Sequence, residues 1–125
     1  MKYILDTKAL IAFFNDEDGA ENVEKILGDI DENKAEGFVS AITLTEVYYL
    51  YSRRSGERVA KKRIEQIKLS NLKMVVIDAG IAIKAGEYKI KAVPIADALI
   101  AASVIPLVQR WLRMMNILNI WMWQL

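Results

Sequence analysis

Short apolar runs alternate with stretches of helical periodicity over the first hundred residues. The first run predicts a strand over residues 2–6 that ends in Asp6, and an apolar, helix-like stretch follows it at once. Further strands are predicted over residues 38–42 and 72–77. Strands that alternate with helices and lack hairpin turns are typical of a parallel sheet. The pattern therefore predicts an α/β protein, a three-layer α/β/α fold with a central parallel sheet.

The helices between and after these strands are marked by their start and stop signals. Asp18, Thr43 and Asp78 are predicted N-caps, because a short polar side chain there can accept a backbone N–H. Pro94 opens the last helix at a position that favours proline. Gly37 is predicted to end the helix that spans residues 19–33. The predicted helices span residues 19–33, 43–51, 57–69, 79–91 and 95–102.

Composition narrows the class of protein. The 125 residues predict a single domain, and 54% apolar with 26% charged residues indicates a globular chain. A net charge of +1 means that any nucleic-acid site must be local. The sequence has no Cys, which excludes disulfides and thiolate metal sites, and no His, which leaves carboxylates as the candidate catalytic groups. The N-terminal residues show no signal-peptide pattern, so a cytoplasmic protein is expected.

Three acids lie where a strand or turn leads into a helix: Asp6, Glu46 and Asp97. Each has an ordinary structural interpretation, as a helix cap, a solvated helix position and an acid at a favourable helix end, respectively. Asp97 is nevertheless flanked by apolar residues, and a charge in such surroundings needs a partner. Helix starts in a parallel sheet face one edge, where α/β proteins bind ligands. Three carboxylates at that edge indicate a Mg²⁺ or Mn²⁺ site suited to phosphodiester hydrolysis.

Three segments resemble the PIN domain, the fold of the VapC-type toxins of toxin–antitoxin systems. They are YILDT at 3–7, SAITLTEV at 40–47 and IADALIAA at 95–102, and the resemblance covers residues 1 to about 103. It implies a PIN-like fold and a Mg²⁺-dependent endoribonuclease, often a homodimer, that a cognate antitoxin protein inhibits. RNA is then the substrate, and no membrane is involved.

The resemblance also assigns roles to residues. Asp6, Glu46 and Asp97 fall on three of the family's acids and are the expected catalytic residues and metal ligands, and Thr7 and Thr43 fall near polar positions that support the site. The basic residues of the third and fourth helices are candidates for holding the RNA backbone, although a solvated helix face explains them equally well. These basic residues are Arg53, Arg54, Arg58, Lys61 and Lys62.

Two departures from the family's pattern keep other functions open. Lys8 stands where the family usually has a small hydroxyl or amide, and it could pair with a carboxylate or phosphate or compete with the metal. The family also has a fourth acid in a strand ending Thr-x-Asp, whereas no acid follows Asp97 here. The alternative is therefore a catalytically impaired PIN-fold binding module that retains antitoxin or dimer contacts. A phosphatase with Asp6 as nucleophile is disfavoured, because a second acid would be expected at position 8.

The tail, residues 104–125, differs in composition from the rest of the chain. All Asp and Glu residues lie at or before Asp97, and all three Trp residues lie at or after Trp111. One hypothesis is a change of reading frame near Ser103 and Val104: read from the third base of each codon, Met114–Met115 gives an Asp codon and Met115–Asn116 a Glu codon. The other is a genuine apolar tail that covers a core face or forms a dimer contact. Its uncharged part, 114–125, is shorter than the roughly 20 residues that a membrane helix needs.

Overall fold

The computed structural model describes residues 1–90, 92–108 and 122–124, with side chains through residue 104. Within them, four strands form one sheet in the order β3-β2-β1-β4. β1, β2 and β3 are parallel, with Ile4 opposite Phe38 and Val39 opposite Met74. β4 is antiparallel to the outer edge of β1. The strands are Lys2–Leu5, Glu36–Ser40, Lys73–Val75 and Met122–Gln124.

Six helices accompany the sheet in the part of the chain that the structure describes. They are α1 Thr7–Phe14, α2 Ala20–Asp31, α3 Ala41–Ser55, α4 Glu57–Leu69, α5 Ala79–Lys89 and α6 Ile95–Val108. In these same ranges, no helix combines the length and the apolar character that crossing a bilayer requires. The alternation of strands and helices confirms the predicted α/β fold.

The sheet is covered by helices on both faces. Leu5 and Val39 point into a core that they share with α1, α2, α3 and α4. Side chains alternate across a strand, so Ile4, Phe38 and Ser40 face the opposite side, toward α6. A second core joins α5 to α6 next to the end of β3. These two cores give the expected three layers.

One buried hydrogen-bond chain attaches α6 to the end of β2. Ser40 and Ser103 have no exposed surface, and their Oγ atoms lie 2.9 Å apart. Ser103 Oγ donates to the Leu99 carbonyl at 2.7 Å. A serine hydroxyl has one hydrogen, so Ser40 is the donor to Ser103. This chain fixes the height of α6 against the sheet.

The start of α3 differs from the prediction. The helix begins at Ala41 with Ser40 at the N-cap position, so the prediction of Thr43 as the cap is wrong. Thr43 instead lies in the first turn and is completely buried. Ser40 makes no side-chain cap bond, because its hydroxyl is bonded to Ser103 on another helix.

Three other local predictions are also corrected. The N-cap of α2 is Gly19, in the left-handed conformation with φ 92°, and not Asp18. Gly37 lies inside β2, opposite Tyr3, and is not a break before the strand. The strand predicted over 72–77 is shorter, with β3 ending at Val75. The Asp78 prediction is confirmed, because its Oδ1 accepts the Ile81 N–H at 2.9 Å.

Candidate metal centre

A cleft of about 500 Å³ opens at the carboxyl edge of the sheet. The ends of β1, α3 and α6 approach one another there, and each supplies one acid to the wall. The lining residues are Asp6, Thr7, Lys8, Ile11, Glu46, Leu50, Asp97 and Ile100. The structure therefore places the three acids singled out from the sequence along one cleft.

Asp6 holds the end of β1 and the start of α1 together. It follows the buried residues Ile4 and Leu5, and its Oδ1 accepts the Ala9 N–H at 2.9 Å. The cap interpretation of Asp6 is thus confirmed, and the cap occupies only one carboxylate oxygen. Its Oδ2 is not part of that cap.

Asp6 is also the acid whose charge is most disfavoured. The pKa of Asp6 is raised to about 6, mainly by burial and to a smaller extent by the negative charges of Asp97 and Glu46. The Ala9 N–H and the Lys8 ammonium oppose this by lowering the pKa. A cation in the cleft would therefore stabilise the ionised form of the Asp6 carboxylate.

Glu46 is oriented by a hydrogen bond from the other side of the cleft. Thr7 Oγ1 donates to Glu46 Oε1 at 2.5 Å, linking the first residue of α1 to α3. The Thr7 side chain is buried, so little water competes for this bond. Thr7 therefore sets the direction in which Glu46 enters the cleft.

Asp97 occupies the open side of the cleft. It lies in the first turn of α6, where an acid is favoured by the helix dipole. The side chain is exposed, so its apolar sequence neighbours do not enclose the charge. Ala98 and Ile100 are the buried residues of this turn, on the face that packs against the protein.

The three acids fit a hard divalent cation by their chemistry, but they do not form a closed set of ligands. Within the described residues, no ion pair involves Asp6, Glu46 or Asp97. Oxygen donors without a cationic partner are what Mg²⁺ and Mn²⁺ bind. In the same described ranges, no three acids lie close enough together to hold one ion directly. The cleft thus suits an ion that keeps several of its waters between itself and the carboxylates, as Mg²⁺ commonly does.

The other residues predicted for the site lie in different positions. Lys8 lines the cleft with an exposed side chain. Thr43 is not part of the lining, and its buried Oγ1 has no hydrogen-bond partner among the described residues. The sequence did not single out three apolar residues of the cleft wall, Ile11, Leu50 and Ile100. Each follows Thr7, Glu46 or Asp97 by three or four residues, and this one-turn spacing would have identified them.

The basic residues lie along α3 and α4, beyond the cleft. Arg53 and Arg54 follow Leu50 by one turn of α3, and both are exposed. Arg53 also donates to Tyr49 Oη at 2.6 Å. On α4, Lys61 pairs with Glu57 at 2.7 Å, while Arg58 is exposed. Exposed arginines are thus present one helical turn beyond the cleft wall on α3 and in the first turn of α4.

Comparison with known proteins supports one family. The family model of the PIN domain matches residues 3–106. Among solved structures, the chain is similar to one titled "Crystal structure of VapBC2 from Rickettsia felis bound to a DNA fragment from their promoter", with a TM-score of 0.64, 21% sequence identity, and coverage of 94% of this chain and 96% of that chain. A search of curated proteins gave no match. The family model spans most of the sequence, including all three acids of the cleft, and the chain therefore belongs to the PIN domain family.

Proposed function

We propose that this chain is a Mg²⁺- or Mn²⁺-dependent endoribonuclease of the toxin–antitoxin type, which hydrolyses RNA phosphodiester bonds. The observation that carries the proposal is the cleft with three acids that have no cationic partner within the described residues. PIN-family membership supports nuclease chemistry, and the absence of His and Cys leaves carboxylates as the catalytic groups.

Each residue contributes separately to the proposed reaction. A divalent cation, when bound, would supply an activated water and offset the charge that develops on phosphorus. Asp6 and Asp97 would hold the cation from the buried and the open side of the cleft. Thr7 keeps the Glu46 carboxylate turned toward the same space. The apolar wall at Ile11 and Leu50 limits the water around these charges.

The exposed arginines of α3 and α4 suggest where the RNA backbone lies. Arg53 and Arg54 are about one helical turn beyond Leu50, which itself lines the cleft. Exposed arginines bind phosphates without reading the bases. A strand whose scissile phosphate sits in the cleft would then run along α3 and α4.

An apolar groove supports a protein partner. It has a volume of about 330 Å³ and lies between α1, α2 and α4, with Phe13, Phe14 and Leu27 in its wall. Arg63 stands at the groove, with its guanidinium 4.8 Å from the Phe14 ring centroid. The neighbouring structure is titled as a VapBC complex, and we propose that an antitoxin segment with apolar and acidic residues fills this groove.

A second copy of the chain is a further proposed partner. Large apolar side chains are exposed on α5, at its C-cap and at the start of α6: Ile83 at 68%, Ile90 at 86% and Ile95 at 56%. Exposed apolar side chains near one another favour association. A homodimer through these helices is consistent with that pattern.

The alternative is a binding module without catalysis. It is favoured by the spacing of the acids, which is too wide in the described residues for one directly held ion, and by Lys8 in the cleft wall. Such a protein would keep its groove and its partner while cutting RNA poorly or not at all.

The test is cleavage of a fluorescent single-stranded RNA with Mn²⁺, by the wild type and by Asp97→Asn. We expect the substitution to lower the cleavage rate at least about 100-fold, because it removes one of the carboxylates proposed to hold the cation that offsets charge on phosphorus. Glu24→Gln, at an exposed acid on α2, is the matched control and should cut as the wild type does. Equal rates for wild type and Asp97→Asn would contradict the proposal. Failure of wild type to cut, with antitoxin binding intact, would support the module.

A further inference from the structure

The chain changes character after α6 has passed the sheet. All 16 acidic residues lie at or before Asp97, and the three Trp residues lie at or after Trp111. The family match also stops at residue 106. A family domain that loses both its acids and its resemblance at nearly the same point suggests a cause in the gene.

Met and Trp make the underlying bases readable, because each has one codon, ATG and TGG. The frame that starts at the second base of each codon is closed: Met114–Met115 gives TGA, a stop, and Met115–Asn116 gives TGA again. A change into that frame is therefore excluded across this segment.

The frame that starts at the third base contains no forced stop codon, and it contains forced acidic codons. Met114–Met115 must give GAT, Asp, and Met115–Asn116 must give GAA, Glu. Farther on, Trp121–Met122 must give a second Asp codon, followed by forced Val and Ala codons. The codons from Leu107 to Leu112 permit Gly-Ala-Lys-Val-Val in this frame, an apolar run with a β-branched end. Read in this frame, the segment contains acidic residues and permits a strand.

The geometry of α6 shows where such a strand would lie. The helix starts at the cleft with Asp97, and its Ser103 meets Ser40 at the carboxyl end of β2. Five more residues, about 7 Å of helix, carry the chain below that level toward the amino edge. A strand that follows directly must turn back and run parallel to β1. Its carboxyl end, where the forced acids follow, would reach the same edge as Asp6.

The outer edge of β1 is the place for that strand. The described residues there form only the three-residue β4, which pairs antiparallel, with Tyr3 opposite Gln124 and Leu5 opposite Met122. An antiparallel strand brings no carboxyl end to the cleft. A parallel strand of five residues, about 16 Å long, would match β1 along its length.

We infer that a one-base loss in the gene, near the codons of Ser103 and Val104, produced residues 104–125, and that the restored frame adds a parallel strand beside β1 and at least one further carboxylate to the metal cleft. The loss of a base is argued from the codons. The added strand and carboxylate deepen the proposed function and rest on it. One missing base, or two extra ones, is the change that makes the third-base frame the original one.

The test is to insert one base after the Val104 codon and to compare the restored protein with this chain. We expect the restored protein to melt several degrees higher, because it gains a full edge strand, and to bind Mn²⁺ at least about 10-fold more tightly by calorimetry. A lower melting temperature or an unchanged Mn²⁺ affinity would overturn the inference. The matched control carries the same insertion with the two adjacent forced acids replaced by Asn and Gln, which should keep the higher melting temperature and lose the gain in Mn²⁺ affinity.

RNA cleavage separates this inference from the proposed function. Tighter Mn²⁺ binding without RNA cleavage by the restored protein would support the inference and contradict the ribonuclease. Cleavage by both proteins with equal Mn²⁺ affinity would support the ribonuclease and overturn the inference.

Discussion

Asp6 serves two purposes, and they have opposite effects on stability. Its Oδ1 caps α1 through the Ala9 N–H, which stabilises the fold. Its burial beside Asp97 and Glu46 raises the pKa to about 6, so the ionised carboxylate destabilises the metal-free protein. A carboxylate held at such a cost is typical of functional sites.

We expect Asp6→Asn to stabilise the metal-free protein near neutral pH, since Asn keeps the cap acceptor and loses the charge. The folded pKa lies above the unfolded value of 3.8. The wild type therefore loses stability as pH rises from below 3.8 through about 6, and the penalty is complete above that pH. Partial exposure reduces the penalty to about 2 kcal/mol. Lys8 opposes it, and Glu46 and Asp97 increase it.

Urea unfolding in EDTA, at about pH 4 and about pH 7.5, measures this difference. The advantage of Asp6→Asn over wild type should be small at the lower pH and about 2 kcal/mol at the higher. Asp6→Ala removes charge and cap together and should forfeit about 1 kcal/mol of that gain. An advantage that does not change with pH would show that burial of the charge is not its source.

At the scale of elements, the position of Asp97 depends on how α6 is fixed to the sheet. A chain of hydrogen bonds runs from Ser40 through Ser103 to the Leu99 carbonyl, and both serine hydroxyls are buried. Removal of one hydroxyl leaves the other without its partner, and such a loss costs about 1–3 kcal/mol.

We therefore expect Ser103→Ala to destabilise the protein by about that amount, and Ser40→Ala and Ser103→Ala together to cost less than the sum of the two single changes. The coupling should reach at least about 0.5 kcal/mol in a double-mutant cycle measured by chemical denaturation. Strict additivity would mean that the two hydroxyls do not depend on each other.

Gly37 shows a second constraint on an element. A Cβ at this position would lie 2.3 Å from Ile30 Cδ1 and 2.7 Å from Leu72 Cδ2, so these two side chains would have to move to admit it. We expect Gly37→Ala to lower the free energy of unfolding by about 1–3 kcal/mol. Gly28→Ala is the matched control: nothing lies within 4 Å of its Cβ, and alanine should stabilise α2 by up to about 1 kcal/mol. Equal effects of the two changes in thermal unfolding would refute the steric explanation.

The sequence predicted elements better than their ends, for a physical reason. Asp78 was identified as a cap because its bond is local, reaching only Ile81. Ser40 was missed because its hydroxyl bonds to Ser103, and a partner 63 residues away leaves no local signal. The apolar neighbours of Asp97 indicated a charge in need of a partner, whereas Ala98 and Ile100 occupy the buried face of the helix and Asp97 is exposed.

Over the whole molecule, the charge of the surface is divided although the net charge is only +1. Three of the 16 acidic residues line the cleft, whereas the exposed arginines Arg53, Arg54 and Arg58 lie on α3 and α4. The sequence predicted three acids at one edge of the sheet, because the carboxyl ends of parallel strands meet there. Their catalytic and metal-binding roles stay a prediction.

Replacing Arg53, Arg54 and Arg58 with Gln should weaken RNA binding and reduce its salt dependence. Each lost phosphate contact with a single strand lowers the slope of log K against log salt by about 0.7, so three contacts give about 2. Fluorescence anisotropy with a short RNA and EDTA, over a salt series, gives both quantities. Lys25→Gln with Lys89→Gln removes exposed charge elsewhere and should leave the slope nearly unchanged. An unaltered slope in the triple variant would mean that the RNA takes another path.

The cleft is assembled from positions 6, 46 and 97, and its third wall depends on α6. During translation Asp6 leaves the ribosome first and Asp97 long after it, followed by Ser103, which fixes α6 to β2. A nascent chain that ends before α6 carries no more than two of the acids. If the proposed ribonuclease activity needs all three acids, such a nascent chain would be inert beside the messenger and the ribosome that make it, and activity would begin only on release.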